Sequence, residues 1–160
     1  MSSFPATLFS GQHFAVLGLG RNGLPAVCAL AQSGATVKAW DDGEAARAAL
    51  AKAVKALSPD AAARITCAPL ESLNGTAGLV LSPGIPHILP KPHPVAVMAR
   101  EAGVPILSDA ELLFRAVRKA GSKARFAGIT GTNGKSTTTT LLAHILVEAC
   151  LLYTSPSPRD

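Results

Sequence analysis

The stretch HFAVLGLGRNGLPAVCALAQSG, residues 13–34, joins a strand pattern to a helix pattern through a glycine-rich segment. The apolar run HFAVLGL is typical of a buried strand, and it breaks at GLGRNG, residues 18–23. Pro25 suits the first turn of a helix, and Gly34 suits its end. The stretch therefore predicts a strand, a glycine-rich turn and a helix, in that order.

Strand and helix patterns alternate along the rest of the chain, which predicts an α/β fold built on a Rossmann-like parallel sheet. Further strands are predicted at residues 35–40, 64–69, 77–83, 104–108 and 124–130.

Three later helices follow from local signals. Residues 44–57 have an apolar face at helical spacing, and residues 95–102 follow a proline-rich connection that cannot itself be a regular helix. Ser108 and Glu111 have the capping-box spacing that predicts the start of the third helix. The face of the first of these helices consists of Ala46, Leu50, Val54 and Leu57.

GLGRNG has the GxGxxG spacing of dinucleotide-binding loops, and Asp41 and Asp42 follow at the end of the next predicted strand. Glycines allow a diphosphate to approach the backbone at a helix start, and an acidic side chain nearby can bind a ribose or a base. The pattern alone favours NAD or FAD, but a UDP-sugar presents the same groups. Both ligand classes stay open on these residues.

A second glycine-rich motif, GITGTNGKST, occupies residues 128–137. Gly131 and Gly134 would let backbone N–H groups converge on phosphate oxygens. Lys135 could reach the β- and γ-phosphates, and the Ser136 hydroxyl could bind Mg²⁺. The motif departs from the general pattern GxxxxGK[ST], because Ile129 stands where the first glycine is expected.

Composition argues against several other classes. The formal net charge is +5 over 160 residues, and the basic residues are scattered without interleaved aromatics, so we predict no nucleic-acid partner. Cys28, Cys67 and Cys150 lack metal-site spacing and are predicted to be reduced thiols. The chain has neither a signal-peptide pattern nor a run of about 18 apolar residues. We predict a cytoplasmic protein without membrane association, and no obligate protein partner is evident.

Four ordered segments resemble the Mur ligase family, whose members add amino acids to the cell-wall precursor. They are VLGLGRNGL (16–24), LSPGIP (81–86), SDAELLF (108–114) and GITGTNGKST. Members that add alanine usually carry His where Asn133 stands, and folate relatives usually carry Gly where Ser136 stands. The segments are therefore most similar to the members that add D-glutamate.

The resemblance implies an ATP-dependent ligase that uses Mg²⁺ and acts on UDP-N-acetylmuramoyl-L-alanine and D-glutamate. In the family, the γ-phosphate of ATP passes to the alanyl carboxylate, and the amine of D-glutamate attacks the acyl phosphate. The resemblance implies a catalytic role for Lys135 and a metal contact for Ser136. The residues implied in ATP binding are Gly131, Thr132, Asn133, Gly134, Lys135, Ser136 and Thr137.

The resemblance also implies a binding site for the UDP-substrate. It places Arg21 and Asn22 near the diphosphate. Asp41 and Asp42 would lie near the uridine, and Ser82 and Gly84 near the muramoyl group. The full set is Gly18, Gly20, Arg21, Asn22, Gly23, Asp41, Asp42, Ser82 and Gly84.

We expect residues 1–107 to form the Rossmann-like domain that binds the UDP-substrate. Residues 108–149 are expected to be the truncated start of a P-loop-type, ATP-binding central domain. Residues 150–160, CLLYTSPSPRD, abandon the helical pattern and include two prolines, so a non-native tail is expected there. The resemblance places the remaining catalytic parts beyond residue 150, and we therefore expect the chain to be inactive alone.

Three alternatives stay open. The chain could belong to another Mur-type ligase, or to a nicotinamide-dependent oxidoreductase that binds a ribose with Asp41. It could also be a non-catalytic module that keeps both glycine-rich loops for nucleotide binding.

Overall fold

The computed structural model describes residues 4–88 and 91–149. The predicted tail at residues 150–160 lies outside the described residues. Two compact units divide the chain, Met1–Ala124 and Arg125–Asp160.

The first unit is built on a parallel five-stranded sheet with the order β3-β2-β1-β4-β5. The strands are β1 His13–Leu17, β2 Thr36–Trp40, β3 Ile65–Cys67, β4 Gly78–Leu81 and β5 Ile106–Leu107. The central strand β1 pairs with β2 on one side and with β4 on the other. The strand order therefore reverses between β1 and β4, at the kind of switch point where open parallel sheets bind ligands. The predicted Rossmann-like parallel sheet is confirmed.

The helices of the first unit are α1 Gly23–Gln32, α2 Glu44–Val54, α3 Pro59–Ala62, α4 Pro94–Glu101 and α5 Asp109–Lys119. The second unit contains α6 Lys135–Glu148. Helix α3 is a single turn that the sequence patterns did not predict.

Apolar side chains cover both faces of the sheet. Successive strand residues point to opposite faces, and β1 shows this directly. Phe14 and Val16 belong to a cluster with Leu30 of α1 and Leu50 of α2, whereas Leu17 belongs to a second cluster that contains apolar residues of α4. Burial on both faces explains why β1 reads as a continuous apolar run and not as an alternating one.

Local helix predictions agree with the packing. Leu50 is buried. The other residues of the predicted apolar face, Ala46, Val54 and Leu57, are partly buried and pack against the same cluster. The hydroxyl of Ser108 accepts a hydrogen bond of 3.1 Å from the N–H of Glu111. The Glu111 side chain pairs instead with Arg115, one turn on at 2.9 Å, so half of the predicted capping box forms.

The first compact unit extends beyond residue 107, the predicted end of the first domain. Helix α5 contacts β4 and β5, and the first unit continues to Ala124 instead of ending at residue 107. The predicted boundary after residue 107 stays a prediction about domain organisation in the full-length protein.

The strand predicted at residues 124–130 is wrong, because the structure has no regular element between α5 and α6. A parallel strand needs a neighbouring strand for its hydrogen bonds. The described residues of the second unit contain no other strand that could supply them. The start of a P-loop-type domain stays a prediction.

Candidate functional site

The glycine-rich loop GLGRNG follows β1 directly and leads into α1 at the switch point of the sheet. The Gly18 N–H donates a hydrogen bond of 2.9 Å to the carbonyl of Trp40 at the end of β2. The Gly18 carbonyl accepts a bond of 3.0 Å from the hydroxyl of Ser82, just after β4. The loop is thereby fixed to the carboxyl ends of both strands that flank β1.

The space around the three glycines of the loop differs from one to the next. Gly18 has φ +89°, and a Cβ there would lie 2.6 Å from the Ser82 hydroxyl oxygen. A Cβ on Gly23 would lie 1.8 Å from the Gly18 carbonyl oxygen. A Cβ on Gly20, in contrast, would have no heavy atom within 4 Å. Packing requires Gly18 and Gly23, whereas the open space at Gly20 is available to a ligand.

Asp41 braces the loop from the end of β2. One carboxylate oxygen accepts the N–H of Leu19 at 2.7 Å, and the other accepts the N–H of Gly43 at 2.8 Å. The carboxylate therefore binds backbone from two segments at once.

Arg47 of α2 fixes the turn that holds Asp41 and Asp42. Its guanidinium donates to the carbonyls of both residues, at 2.7 and 2.8 Å, and lies 4.7 Å from the centre of the Trp40 ring. The indole N–H of Trp40 donates to the Asp42 carboxylate at 3.0 Å. The Asp42 side chain, which is predicted to lie near the uridine, is thus part of an ordered turn.

Arg21 and Asn22 are the part of the glycine-rich loop that lies beside α5. The Asn22 side-chain amide donates a hydrogen bond of 2.8 Å to the carboxylate of Asp109, the first residue of α5. All three residues line a mostly apolar cavity of about 330 Å³ between α1 and α5. Sequence reasoning missed Asp109, because nothing local connects it to a loop 87 residues earlier.

A second cleft, of about 560 Å³, lies at the carboxyl ends of β4 and β5. Ser82 lines it, together with His87, Glu111 and Arg115. Gly84 is exposed in the loop after β4, and the guanidinium of Arg100 donates to the carbonyl of His87 in the same loop. Glu111 and Arg115 are four residues apart, a spacing that predicts an ion pair on a helix. The spacing does not indicate that the pair lines a cleft.

The predicted UDP-substrate residues are therefore brought to one edge of the sheet. Hydrogen bonds fix Gly18, Asp41 and Ser82 at the carboxyl ends of β1, β2 and β4. Asn22 bonds instead to Asp109 at the start of α5.

The second glycine-rich motif lies in the second unit, where Lys135 is the first residue of α6. Gly134 precedes it with φ +77°, and Gly131 has φ +146°. The Lys135 ammonium donates to the carbonyls of Gly131 at 2.5 Å and Thr132 at 3.3 Å. The loop therefore curls around the ammonium, with the start of a 14-residue helix behind it.

The threonine run after Lys135 is compatible with a helix because its hydroxyls have backbone partners. Thr139 donates its hydroxyl to the carbonyl of Lys135 at 2.8 Å, and Thr140 donates to the carbonyl of Ser136 at 3.0 Å. Ser136 and Thr137 are exposed in the first turn.

Neither a metal cluster nor a membrane span is found in the part of the chain that the structure describes. No group of three or more His, Cys, Asp or Glu side chains there could hold a metal ion. No helix among the described residues is long and apolar enough to cross a bilayer.

Burial raises the pKa of the Cys28 thiol, which favours its protonated form.

Curated proteins similar to the chain include three relatives that are each named UDP-N-acetylmuramoylalanine–D-glutamate ligase. The protein of Paramagnetospirillum magneticum is 47% identical over 144 residues, which cover 90% of this chain and 29% of that protein. The Rhodospirillum rubrum protein is 46% identical, and the alignment covers 91% of this chain and 29% of that protein. The Sphingopyxis alaskensis protein is 48% identical, and the alignment covers 88% of this chain and 30% of that protein. The chain thus spans less than a third of the length of the relatives it matches.

Similarity of the chain to solved structures is weak. No family model matches the chain. Among solved structures, shikimate dehydrogenase from Aquifex aeolicus aligns with a TM-score of 0.44 at 16% identity, over 69% of this chain and 47% of that one. The Mycobacterium tuberculosis shikimate dehydrogenase aligns with a TM-score of 0.40 at 22% identity, over 86% and 59%.

Proposed function

Because the chain belongs, over about 90% of its length, to the family of UDP-N-acetylmuramoylalanine–D-glutamate ligases, we propose that it is the part of such a ligase that binds the UDP-linked substrate. The whole enzyme would join D-glutamate to UDP-N-acetylmuramoyl-L-alanine in peptidoglycan precursor synthesis. The first unit would hold the UDP-substrate, and the second would contribute the loop that binds ATP.

The open backbone at Gly20 is the observation that carries the proposal. It lies between two glycines that the fold requires, at the start of α1 and at the switch point of the sheet. Backbone N–H groups and the positive end of the α1 dipole favour an anion there. A diphosphate needs several such donors, and each hydrogen bond to a charged group contributes about 1.5–3 kcal/mol.

The loop around Lys135 supports the ATP half of the proposal. When a triphosphate binds, the ammonium would exchange the carbonyls of Gly131 and Thr132 for phosphate oxygens. The γ-phosphate would pass to the alanyl carboxylate, and the amine of D-glutamate would then displace phosphate from the acyl phosphate. Lys135 would stabilise the charge on the transferring phosphoryl group.

Mg²⁺ fits this loop on chemical grounds. Mg²⁺ is usually bound by one or two protein oxygens together with phosphates and water. The exposed hydroxyl of Ser136, next to Lys135, is such an oxygen, and bound Mg²⁺ would neutralise phosphate charge.

We expect no ligase turnover from the 160 residues alone. In the described residues, the segment before Lys135 is not held by a sheet, and no buried residue anchors α6. A phosphoryl-transfer loop needs fixed geometry, because small misplacements of reacting groups cost large factors in rate.

A nicotinamide-dependent oxidoreductase is the second candidate, favoured by GxGxxG followed by an acidic residue at the end of β2. In that case a ribose would contact Asp41, whose two carboxylate oxygens already accept the N–H groups of Leu19 and Gly43.

Parallel calorimetric titrations of the chain with UDP-N-acetylmuramoyl-L-alanine and with NADH separate the candidates. Saturable heat with the UDP compound alone supports the ligase, whereas saturable heat with NADH alone refutes it.

A further inference from the structure

The hydrogen bond between Asn22 and Asp109 joins the glycine-rich loop to the start of α5. The Asn22 amide nitrogen lies 2.8 Å from the Asp109 carboxylate oxygen, across 87 residues of sequence. The GxGxxG spacing does not itself require this contact, since its glycines are explained by packing and by backbone approach. The bond therefore needs its own explanation.

Asp109 lies at the capped start of α5. It directly follows β5 and Ser108, whose hydroxyl accepts the N–H of Glu111 and caps α5. A carboxylate fixed in this way can determine the orientation of a partner side chain.

The bond orients the remaining polar groups of Asn22. A side-chain amide has two N–H donors and one acceptor oxygen, and Asp109 uses one donor. The second donor and the oxygen are then held in one orientation before any ligand arrives. Fixing a side chain in advance removes an ordering cost that binding would otherwise include.

We propose that Asp109 is a positioning residue for the UDP-substrate, acting through the amide of Asn22. This inference rests on the proposed function, in which Asn22 lies beside the diphosphate. The negative charge of Asp109 itself opposes a nearby diphosphate, so any benefit to binding comes through the hydrogen bond and not through the charge.

Three substitutions at residue 109 separate the hydrogen bond from the charge. Asp109→Asn keeps an acceptor oxygen for the Asn22 amide and removes the charge, so it should preserve the positioning. Asp109→Ala removes the acceptor. Asp109→Glu keeps the charge and a polar helix start but displaces the carboxylate by one methylene group.

The test is calorimetric titration of UDP-N-acetylmuramoyl-L-alanine into the 160-residue chain and its variants. We expect Asp109→Ala to raise Kd about three- to tenfold, because the Asn22 side chain must then be ordered when the ligand binds. Asp109→Asn should stay within about twofold of the unaltered chain. Glu101→Ala, at the exposed end of α4, removes one acidic charge as a matched control and should leave Kd unchanged.

A double-mutant cycle distinguishes positioning from a general structural role. If Asp109 acts through Asn22, the variant that carries both Asn22→Ala and Asp109→Ala binds no more weakly than Asn22→Ala alone. Additive losses overturn the inference, as does an unchanged Kd in Asp109→Ala. Should that variant unfold, Asp109→Glu takes its place, and an unchanged Kd in it also overturns the inference. Failure of the unaltered chain to bind refutes the proposed function, and the inference with it.

Discussion

The carboxylate of Asp41 accepts the backbone N–H of Leu19 at 2.7 Å, which ties the end of β2 to the loop that follows β1. The same carboxylate accepts the N–H of Gly43 at 2.8 Å. An acidic residue at this place in a parallel α/β sheet is commonly interpreted as a ligand contact. In this chain it also fixes the shape of the loop before any ligand binds.

Asp41→Ala should destabilise the first unit by about 1–3 kcal/mol, because it leaves two backbone N–H groups without their charged acceptor. Asp42→Ala is the matched control. Asp42 is exposed and accepts one side-chain bond, from Trp40, so its loss should cost less than about 1 kcal/mol. Urea unfolding followed by circular dichroism measures both, and equal losses in the two variants would contradict the bracing role.

Gly23→Ala should destabilise the chain by about 2 kcal/mol or more, because its Cβ would overlap a backbone carbonyl that cannot easily move. The distance to the Gly18 oxygen would be 1.8 Å. Gly20→Ala is the control, since its Cβ meets no heavy atom within 4 Å, and its unfolding free energy should stay within about 0.5 kcal/mol. Similar urea midpoints for both variants would show that the loop is not packed as described.

Much of this fold could be predicted from the sequence because its signals are local. The apolar run of β1, the positions of Pro25 and Gly34, and the cap at Ser108 each depend on a few neighbouring residues. The strand expected at residues 124–130 failed for the opposite reason. Its apolar pattern is compatible with a strand, but a strand also needs a partner, which no local pattern reveals.

The site was predictable to the level of its motifs and no further. Glycine spacing located the loop, and the position of Asp41 after β2 indicated the neighbouring turn. The hydrogen bonds between Asp41 and Leu19 and between Asn22 and Asp109 depend on which segments meet in space. They could not be read from a single sequence.

Lys135→Ala should leave binding of the UDP-substrate to the 160-residue chain within about twofold of the unaltered Kd, because the Lys135 ammonium donates to carbonyls of its own loop. In the full-length enzyme the same substitution should abolish acyl-phosphate formation, since the ammonium serves the other nucleotide. Calorimetry and an assay of acyl-phosphate formation measure the two effects. Loss of UDP-substrate binding without unfolding would contradict this division of labour.

Cys28 should react with iodoacetamide more slowly than Cys67 at pH 8. Burial raises the pKa of the Cys28 thiol, so a smaller fraction is thiolate at a given pH, whereas Cys67 is exposed. Raising the pH should increase the rate at Cys28 as its thiolate forms. Mass spectrometry of the alkylated peptides gives each rate, and denaturant should make the two rates similar. Equal rates in the folded chain would contradict the described packing of α1.

The central claim is that the loop GLGRNG binds the UDP-linked substrate through its open backbone. Gly20→Val tests it most directly, because a Cβ at residue 20 meets no heavy atom of the fold within 4 Å but would stand where a ligand approaches the backbone. We predict that the unaltered chain binds UDP-N-acetylmuramoyl-L-alanine in calorimetry, and that Gly20→Val weakens binding by about tenfold or more, or 1.4 kcal/mol, with an unchanged melting temperature. Equal affinities in two equally stable proteins would contradict the claim.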